Sequence, residues 1–220
     1  MYRDGKEVLK DDKMAVEWFH KAAEQGNAFG QNNLGTMYRD GKGVLKDEKL
    51  AVEWFRKAAE QGNADGQNNL GFMYENGRGV LKDDKLAVEW YKKAGEQENA
   101  FGQNALGTMY RDGKGVLKDD KMAVEWFHKA AEQGNSFGQN NLGFMYGNGR
   151  GVQKDDKLAV EWYHKAAAQG NADGQNNLGF MYENGRGGLK DHKLAVEWYH
   201  KAAEQGNAFA KTRLGALQKK

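Results

Sequence analysis

Apolar residues recur along the chain with the spacing of an amphipathic helix. Between Leu50 and Ala59, an alanine is followed by aromatic residues three and four positions later, and by alanines seven and eight positions later. This spacing places one apolar stripe along a helix. The stripe predicts a buried face made of Ala51, Trp54, Phe55, Ala58 and Ala59.

A second stripe lies in the preceding segment, and capping residues bound both segments. Asn27 is a good N-cap for this earlier segment, and the Asp-Gly-Lys-Gly turn at 40–43 ends it. Asp47 caps the later segment and Gly62 terminates it. The pattern predicts a helix hairpin, with Gly35 letting the two backbones approach closely. Its first helix would bury Ala28, Gln31, Leu34, Gly35 and Tyr38.

The hairpin recurs with a fixed period of 36 residues, without an insertion or deletion. Because one hairpin cannot bury both of its stripes, neighbouring hairpins must stack as a solenoid. The repeats are marked by Trp18, Trp54, Trp90, Trp126, Trp162 and Trp198. We predict a single solenoid domain over 1–220, with a partial repeat at 1–27, full repeats at 28–63, 64–99, 100–135, 136–171 and 172–207, and a capping helix at 208–220.

Composition removes several classes of function. The chain has no Cys, which excludes disulfides, thiol nucleophiles and cysteine zinc sites. Its 33 basic and 31 acidic residues nearly cancel, so the charge of a nucleic-acid binder is missing. Mean hydropathy is −0.92, no apolar run could span a membrane, and the first residues lack the apolar segment of a signal peptide. We therefore expect no nucleic-acid or membrane partner, and a cytoplasmic location is favoured.

Candidate chemistry is sparse. Four histidines occupy equivalent positions, but such positions in stacked hairpins are about 10 Å apart, too far for a shared metal. The glycine pairs lack the third glycine and the preceding strand of a nucleotide-binding loop. The carboxylates recur on exposed helix surface, so no pair of them has the distinct environments that a general acid and a general base require. Pairs such as Glu53 with Lys57 are expected to be i, i+4 ion pairs. We expect no catalytic residue, no metal and no cofactor; the four histidines are His20, His128, His164 and His200.

The repeat resembles a known family. It is similar to the Sel1-like repeat, a relative of the tetratricopeptide repeat, through Leu34-Gly35, Tyr38, Gly41-x-Gly43-Val44, Asp47, Ala51, Trp54-Phe55, Lys57-Ala58-Ala59 and Gly62. The resemblance implies an all-α, right-handed superhelical solenoid of helix-turn-helix repeats. Many family members have Ala at the place of Gly30 and Pro in the loop at Leu45-Lys46, and we expect these departures to loosen the first helix and the loop.

The resemblance also implies that the first helices line a concave surface. Helix geometry places repeat positions 2, 6, 9 and 13 opposite the core stripe, and these positions are rich in Asn and Phe. Such side chains could hold the backbone and side chains of an extended peptide. The alternative is that the Phe residues pack between hairpins and the Asn residues are structural. We call this set the first-helix face: Asn33, Asn69, Asn141, Asn177, Phe29, Phe72, Phe101, Phe137, Phe144 and Phe180.

We therefore expect a non-catalytic scaffold or adaptor that binds a protein or peptide. The alternative is a structural repeat protein that self-assembles through its ends, since Met1-Tyr2 aligns with Met37-Tyr38 and the chain starts inside a first helix. This alignment suggests a fragment of a longer protein or an end covered by another chain. A third possibility is an enzyme that acts on cell-wall or lactam substrates, as proposed for some relatives. Such an enzyme would have only Ser136 and three threonines as hydroxyl nucleophiles.

Overall fold

The computed structural model describes residues 11–217, and within this range it contains helices and no strand. Each full repeat contributes a first and a second helix, so the prediction of an all-α repeat fold is confirmed. The helices are α1 (Asp12–Glu24), α2 (Ala28–Asp40), α3 (Glu48–Glu60), α4 (Ala64–Asn76), α5 (Asp84–Glu96), α6 (Ala100–Asp112), α7 (Asp120–Glu132), α8 (Ser136–Asn148), α9 (Asp156–Ala168), α10 (Ala172–Asn184), α11 (His192–Glu204) and α12 (Ala208–Leu217).

The predicted caps set the ends of these helices. Asn27 Oδ1 accepts a 2.8 Å hydrogen bond from the Gly30 amide at the start of α2. Asp47 caps α3 by accepting from two backbone amides, each at 3.0 Å. Gly41 ends α2 in the left-handed conformation, with φ of 67°. These local contacts satisfy backbone groups that a helix end leaves unpaired, which is why the hairpin bounds follow the sequence closely.

The core lies between successive helices, and three of its predicted members are only half-buried: Ala28, Tyr38 and Trp54. Ala51, Phe55, Ala58 and Ala59 are buried as expected. Trp54 packs against a core cluster that α1 of the preceding repeat forms with α2 of its own repeat, and the Lys57 ammonium lies 4.0 Å from its ring centroid. The expected burial of this tryptophan is therefore wrong in degree, because its ring packs against the outside of that cluster instead of inside it.

Two glycines allow close packing of α2. A Cβ atom at Gly35 would lie 2.8 Å from the Phe55 ring, so the predicted close approach of α2 and α3 is confirmed. A Cβ atom at Gly30 would lie 2.7 Å from the Cβ of Ala22 on α1. The missing side chain of Gly30 thus permits the contact between α1 and α2, and the expectation that Gly30 loosens the first helix stays a prediction.

The chain divides into two compact units. One contains residues 1–109 and 113–117, and the other contains residues 110–112 and 118–220. Within each unit, a glutamine that caps the end of a second helix bonds a first-helix glutamine of the same repeat, as Gln61 Nε2 does with Gln31 Oε1 at 2.6 Å. The single domain over 1–220 stays a prediction. None of the helices described between residues 11 and 217 has the length and apolar character to cross a membrane.

Candidate functional site

The phenylalanines of the first-helix face fall into two groups. Those near the starts of the first helices are well exposed: Phe29 by 68%, Phe101 by 60% and Phe137 by 54%. Phe209, at the equivalent place on α12, is 77% exposed. Isolated exposed aromatics are ordinary, but a series of them on successive helices is a typical contact surface.

The phenylalanines in the middle of the first helices are more enclosed. Phe72 and Phe180 are 37% and 40% exposed, and Phe144 is partly buried. Each lies beside an arginine of its own repeat, with ring centroid to guanidinium carbon distances of 5.7 to 5.9 Å. Cations at this distance interact favourably with an aromatic face. The arginines are Arg78 for Phe72, Arg150 for Phe144 and Arg186 for Phe180.

The asparagines of the face link successive repeats. Asn69 Nδ2 donates to Asn32 Oδ1 at 2.8 Å, and Asn69 Oδ1 accepts from Arg39 Nη1 at 3.1 Å. Asn177 Nδ2 likewise donates to Asn140 Oδ1 at 2.9 Å. Arg111 Nη1 donates to Asn141 Oδ1 at 3.2 Å, and Asn33 is partly buried. The sequence showed the position of these amides but not their partners, which lie in another repeat.

The histidines lie away from this face. His20, His128 and His164 each present an edge to a tryptophan of the following repeat, with centroids 6.0 to 6.1 Å apart. Two of them also approach a glutamate one turn later, at 3.4 and 3.5 Å. These contacts give the histidines a packing role between repeats.

The first-helix face contains a cavity in each unit. In the first unit, a cavity of about 490 Å³ is lined by Arg39, Asn69, Phe72, Tyr91 and Phe101, among others. In the second unit, a cavity of about 400 Å³ is lined by residues that include Phe144, Asn177, Phe180, Phe209 and Arg213. Pockets of this size with aromatic walls and a few polar groups are typical of ligand sites.

Several of the lining residues were missed by the sequence interpretation. Tyr91, Tyr163 and Tyr199 stand on second helices at the position that Phe55 holds in the predicted core stripe, yet each lines one of the two cavities. Gly147 also lines the second cavity, at a repeat position that has Glu75 and Glu183 in two repeats and Arg39 and Arg111 in two others. The loss of a long polar side chain at this position in one repeat is the signal that could have found the site.

Glutamates at that position bind the tyrosines of the second helices. Tyr91 donates to Glu75 Oε2 at 2.9 Å, and Tyr199 donates to Glu183 Oε2 at 2.8 Å. Burial is the main cause that raises the pKa of both tyrosines, and the adjacent carboxylates add to it. Burial opposes ionisation of Glu183, but hydrogen bonds from Arg213 and Tyr199 outweigh it and lower the pKa of Glu183.

The repeats match a family model described as the Sel1 repeat, over residues 1–27, 28–63, 64–99, 100–135, 136–171 and 172–207. The chain belongs to the Sel1 repeat family. This membership confirms the resemblance inferred from the repeat. The Sel1 repeat is a scaffold fold that typically mediates protein interaction, and Sel1 repeat proteins are generally non-catalytic.

Solved Sel1 repeat structures are similar to this chain. A protective antigen of uropathogenic Escherichia coli with an SLR fold is 42% identical, with a TM-score of 0.82 over 98% of this chain. The match covers 46% of the antigen, so this Sel1 repeat chain spans less than half of that protein's length. A Sel1 repeat protein from Oxalobacter formigenes is 35% identical, with a TM-score of 0.82, over 93% of this chain and 86% of its own.

Solved structures with lower sequence identity share only the fold with this chain. An immunity protein from Pseudomonas aeruginosa is 22% identical, with a TM-score of 0.61, over 91% of this Sel1 repeat chain and 77% of its own length. No curated protein matches the sequence. The Sel1 repeat assignment therefore rests on the family model and on the two more similar structures.

Proposed function

We propose that this Sel1 repeat protein is a non-catalytic adaptor that binds an extended peptide segment of a partner protein on its first-helix face. The observation that carries the proposal is the cavity on this face in each unit, where exposed phenylalanines stand beside asparagine and arginine side chains. Aromatic walls favour apolar side chains, and the polar groups favour the backbone that connects them.

The exposed phenylalanines are the main anchors in this proposal. Phe101 borders the cavity of the first unit and is 60% exposed. Phe209 holds the equivalent position on α12, borders the cavity of the second unit and is 77% exposed. Burying an aromatic side chain of this kind against a partner removes a large apolar area from water, which makes aromatic residues frequent binding hot spots.

The asparagines keep part of their hydrogen-bonding capacity for a ligand. A side-chain amide has two N–H donors, and Asn69 uses one of them on Asn32. The second donor can reach a peptide carbonyl. The asparagines therefore serve both the contact between repeats and the proposed peptide, so replacing them would disturb stability as well as binding.

A displayed random-peptide selection tests the proposal. The target is the full chain, compared with a double variant, Phe101→Ser with Phe209→Ser, that removes one exposed anchor from each cavity. The matched control is Leu81→Ser with Leu117→Ser, since these loop leucines are 90% and 91% exposed and lie outside the two cavities. Circular dichroism verifies that all three proteins are folded.

We expect peptides enriched on the parent to bind the leucine control equally and the phenylalanine variant at least tenfold more weakly, which corresponds to about 1.4 kcal/mol. Equal binding to both variants would place the peptide site elsewhere. Absence of enrichment would overturn peptide binding. It would leave the alternative of end-to-end self-assembly, which stays a prediction because residues 1–10 lie outside the described residues, and which light scattering at several concentrations tests.

A further inference from the structure

The residue at repeat position 12, near the end of each first helix, normally bonds a neighbouring element. Glu75 and Glu183 accept hydrogen bonds from Tyr91 and Tyr199. Each of these carboxylates also binds a cation of the following repeat: Lys114 Nζ lies 3.4 Å from Glu75 Oε1, and Arg213 Nη2 lies 2.7 Å from Glu183 Oε1. In these two repeats a carboxylate is held between a buried tyrosine hydroxyl and a cation, whereas Arg39 and Arg111 hold the same position in two others.

Gly147 leaves this arrangement without its carboxylate. A Cβ atom built on Gly147 would lie 3.9 Å from the Tyr163 hydroxyl and 3.7 Å from Arg186 Nη2. The tyrosine and the cation are therefore in place, and the side chain that would join them is missing. The space that remains is part of the cavity of about 400 Å³ in the second unit.

The Tyr163 hydroxyl is available to a ligand. It makes no hydrogen bond to any residue between 11 and 217, while Tyr91 and Tyr199 each bond a glutamate. Burial raises the pKa of Tyr163, so the hydroxyl stays protonated and can donate. Tyr163 lines the cavity, so an acceptor on a ligand there can reach this hydroxyl.

Two arginines, Arg186 and Arg213, line the cavity and bring hydrogen-bond donors to it. Arg213 binds Glu183, and Arg186 binds Asp156 through Nε and Nη2 and the Gly147 carbonyl oxygen through Nη2. Arg186 Nη1 makes no hydrogen bond to any residue between 11 and 217 and is the donor that remains for a ligand. Phe144, Phe180 and Phe209 form apolar walls that exclude water from a bound charge and strengthen its hydrogen bonds.

We propose that the cavity beside Gly147 binds a carboxylate of the peptide ligand, which takes the place that the glutamate side chain occupies in the repeats at 64–99 and 172–207. This inference rests on the proposed function. The Tyr163 hydroxyl and Arg186 donate to the carboxylate, and the aromatic walls contact an apolar residue next to it in the peptide. The carboxylate comes from an Asp or Glu side chain or from a peptide C-terminus, which share this chemistry.

Synthetic hexapeptide pools test the proposal by fluorescence anisotropy. In one set of pools a single position is fixed as Glu, Asp, Gln or Asn and the C-terminus is amidated; a second set has free C-termini. The proteins are the full chain, Gly147→Glu, Tyr163→Phe and the control Gly147→Ala, whose Cβ has ordinary contacts beginning at 3.4 Å. Thermal unfolding measures the stability of each protein.

We expect the parent and Gly147→Ala to prefer acidic over amide pools by about tenfold, as hydrogen bonds to a charged group imply. Gly147→Glu supplies its own carboxylate and should lose this preference while unfolding at the same or a higher temperature, and Tyr163→Phe should reduce it. A preference confined to free C-termini assigns the terminal carboxylate as the source. Binding of all pools without a preference would overturn the carboxylate site and leave peptide binding intact, whereas no binding by any pool would overturn both.

Discussion

Arg78 binds the carboxylate of Glu48, thirty residues earlier, through Nε at 2.9 Å and Nη2 at 2.6 Å. The same relationship joins Arg150 to Asp120 and Arg186 to Asp156. It links the loop after a first helix to the start of the second helix in the preceding repeat. Arginine can bind one carboxylate with two donors, which fixes both distance and angle between the repeats.

Two repeats have a lysine in place of this arginine, Lys42 and Lys114, and restoring the link at Lys114 should stabilise the protein. The Lys114 ammonium contacts Glu75, while Asp84 Oδ1 is buried, makes no hydrogen bond within residues 11–217 and lies 3.5 Å from Lys82 Nζ. We expect Lys114→Arg to raise the free energy of unfolding by about 0.5–1 kcal/mol in urea denaturation. The reverse change, Arg78→Lys, should lower it. A Lys114→Arg variant less stable than the parent would show that the contact of Lys114 with Glu75 stabilises the protein more than the restored link to Asp84 does.

Acid should weaken the link between Arg78 and Glu48. The hydrogen bonds from Arg78 and then Lys46 lower the pKa of Glu48 below its ordinary value of 4.5. Because the folded state has the lower pKa, the stabilisation is complete above 4.5 and is lost as the pH falls through the lowered value. We expect Glu48→Gln to be less stable than the parent near neutral pH, with the difference shrinking in acid.

Urea denaturation of both proteins at several pH values between 7 and 3 measures this difference. The matched control is Glu53→Gln, since Glu53 is exposed on the same helix, α3. A difference between parent and Glu48→Gln that stays constant over the whole range would contradict the assigned link.

Gly71 should be intolerant of a side chain. A Cβ atom there would lie 2.8 Å from the Tyr91 ring and 3.2 Å from the Ala87 carbonyl oxygen. We expect Gly71→Ala to cost about 1–3 kcal/mol, the usual penalty for overpacking a core. Gly215 on α12 is the control, because a Cβ there meets nothing within 4 Å. Gly215→Ala should be neutral or stabilising by about 0.5–1 kcal/mol, as alanine favours a helix. Equal effects of the two changes in thermal unfolding would refute the packing argument.

Two turn glycines separate backbone strain from steric overlap. Gly62 has φ of 85° and open space around its Cβ position, whereas Gly79 has φ of 67° and a Cβ would overlap the Glu48 carbonyl. We expect Gly62→Ala to cost about 1–2 kcal/mol from the left-handed conformation alone. Gly79→Ala should cost more, because the loop must also move away from the preceding repeat. Chemical denaturation measures the free energy of unfolding of both variants. A smaller loss of stability in Gly79→Ala than in Gly62→Ala would mean that the loop can move away from Glu48 at little cost in free energy.

Local features of this protein were predictable from the sequence. Asn27 and Asp47 cap helices where expected, and Gly41 ends α2 in the left-handed conformation, because capping and turn geometry depend on residues within a few positions of each other. The period of 36 residues similarly determined that one hairpin would be copied along the chain. The close approach at Gly35 followed from the same pattern, since it lies between two helices of one hairpin.

Contacts between repeats were decided by the tertiary structure. Trp54 packs against a cluster that includes α1 residues, and Lys57 lies over its ring, so the expected ion pair of Lys57 with Glu53 does not occur among the described residues. Asn69 bonds Asn32, which is 37 residues away. The cavity beside Gly147 exists because helices of successive repeats hold Tyr163 and Arg186 around a missing side chain. Periodicity identifies equivalent residues, but the rotation and spacing of stacked hairpins, which depend on the fit of many side chains, determine which of them meet.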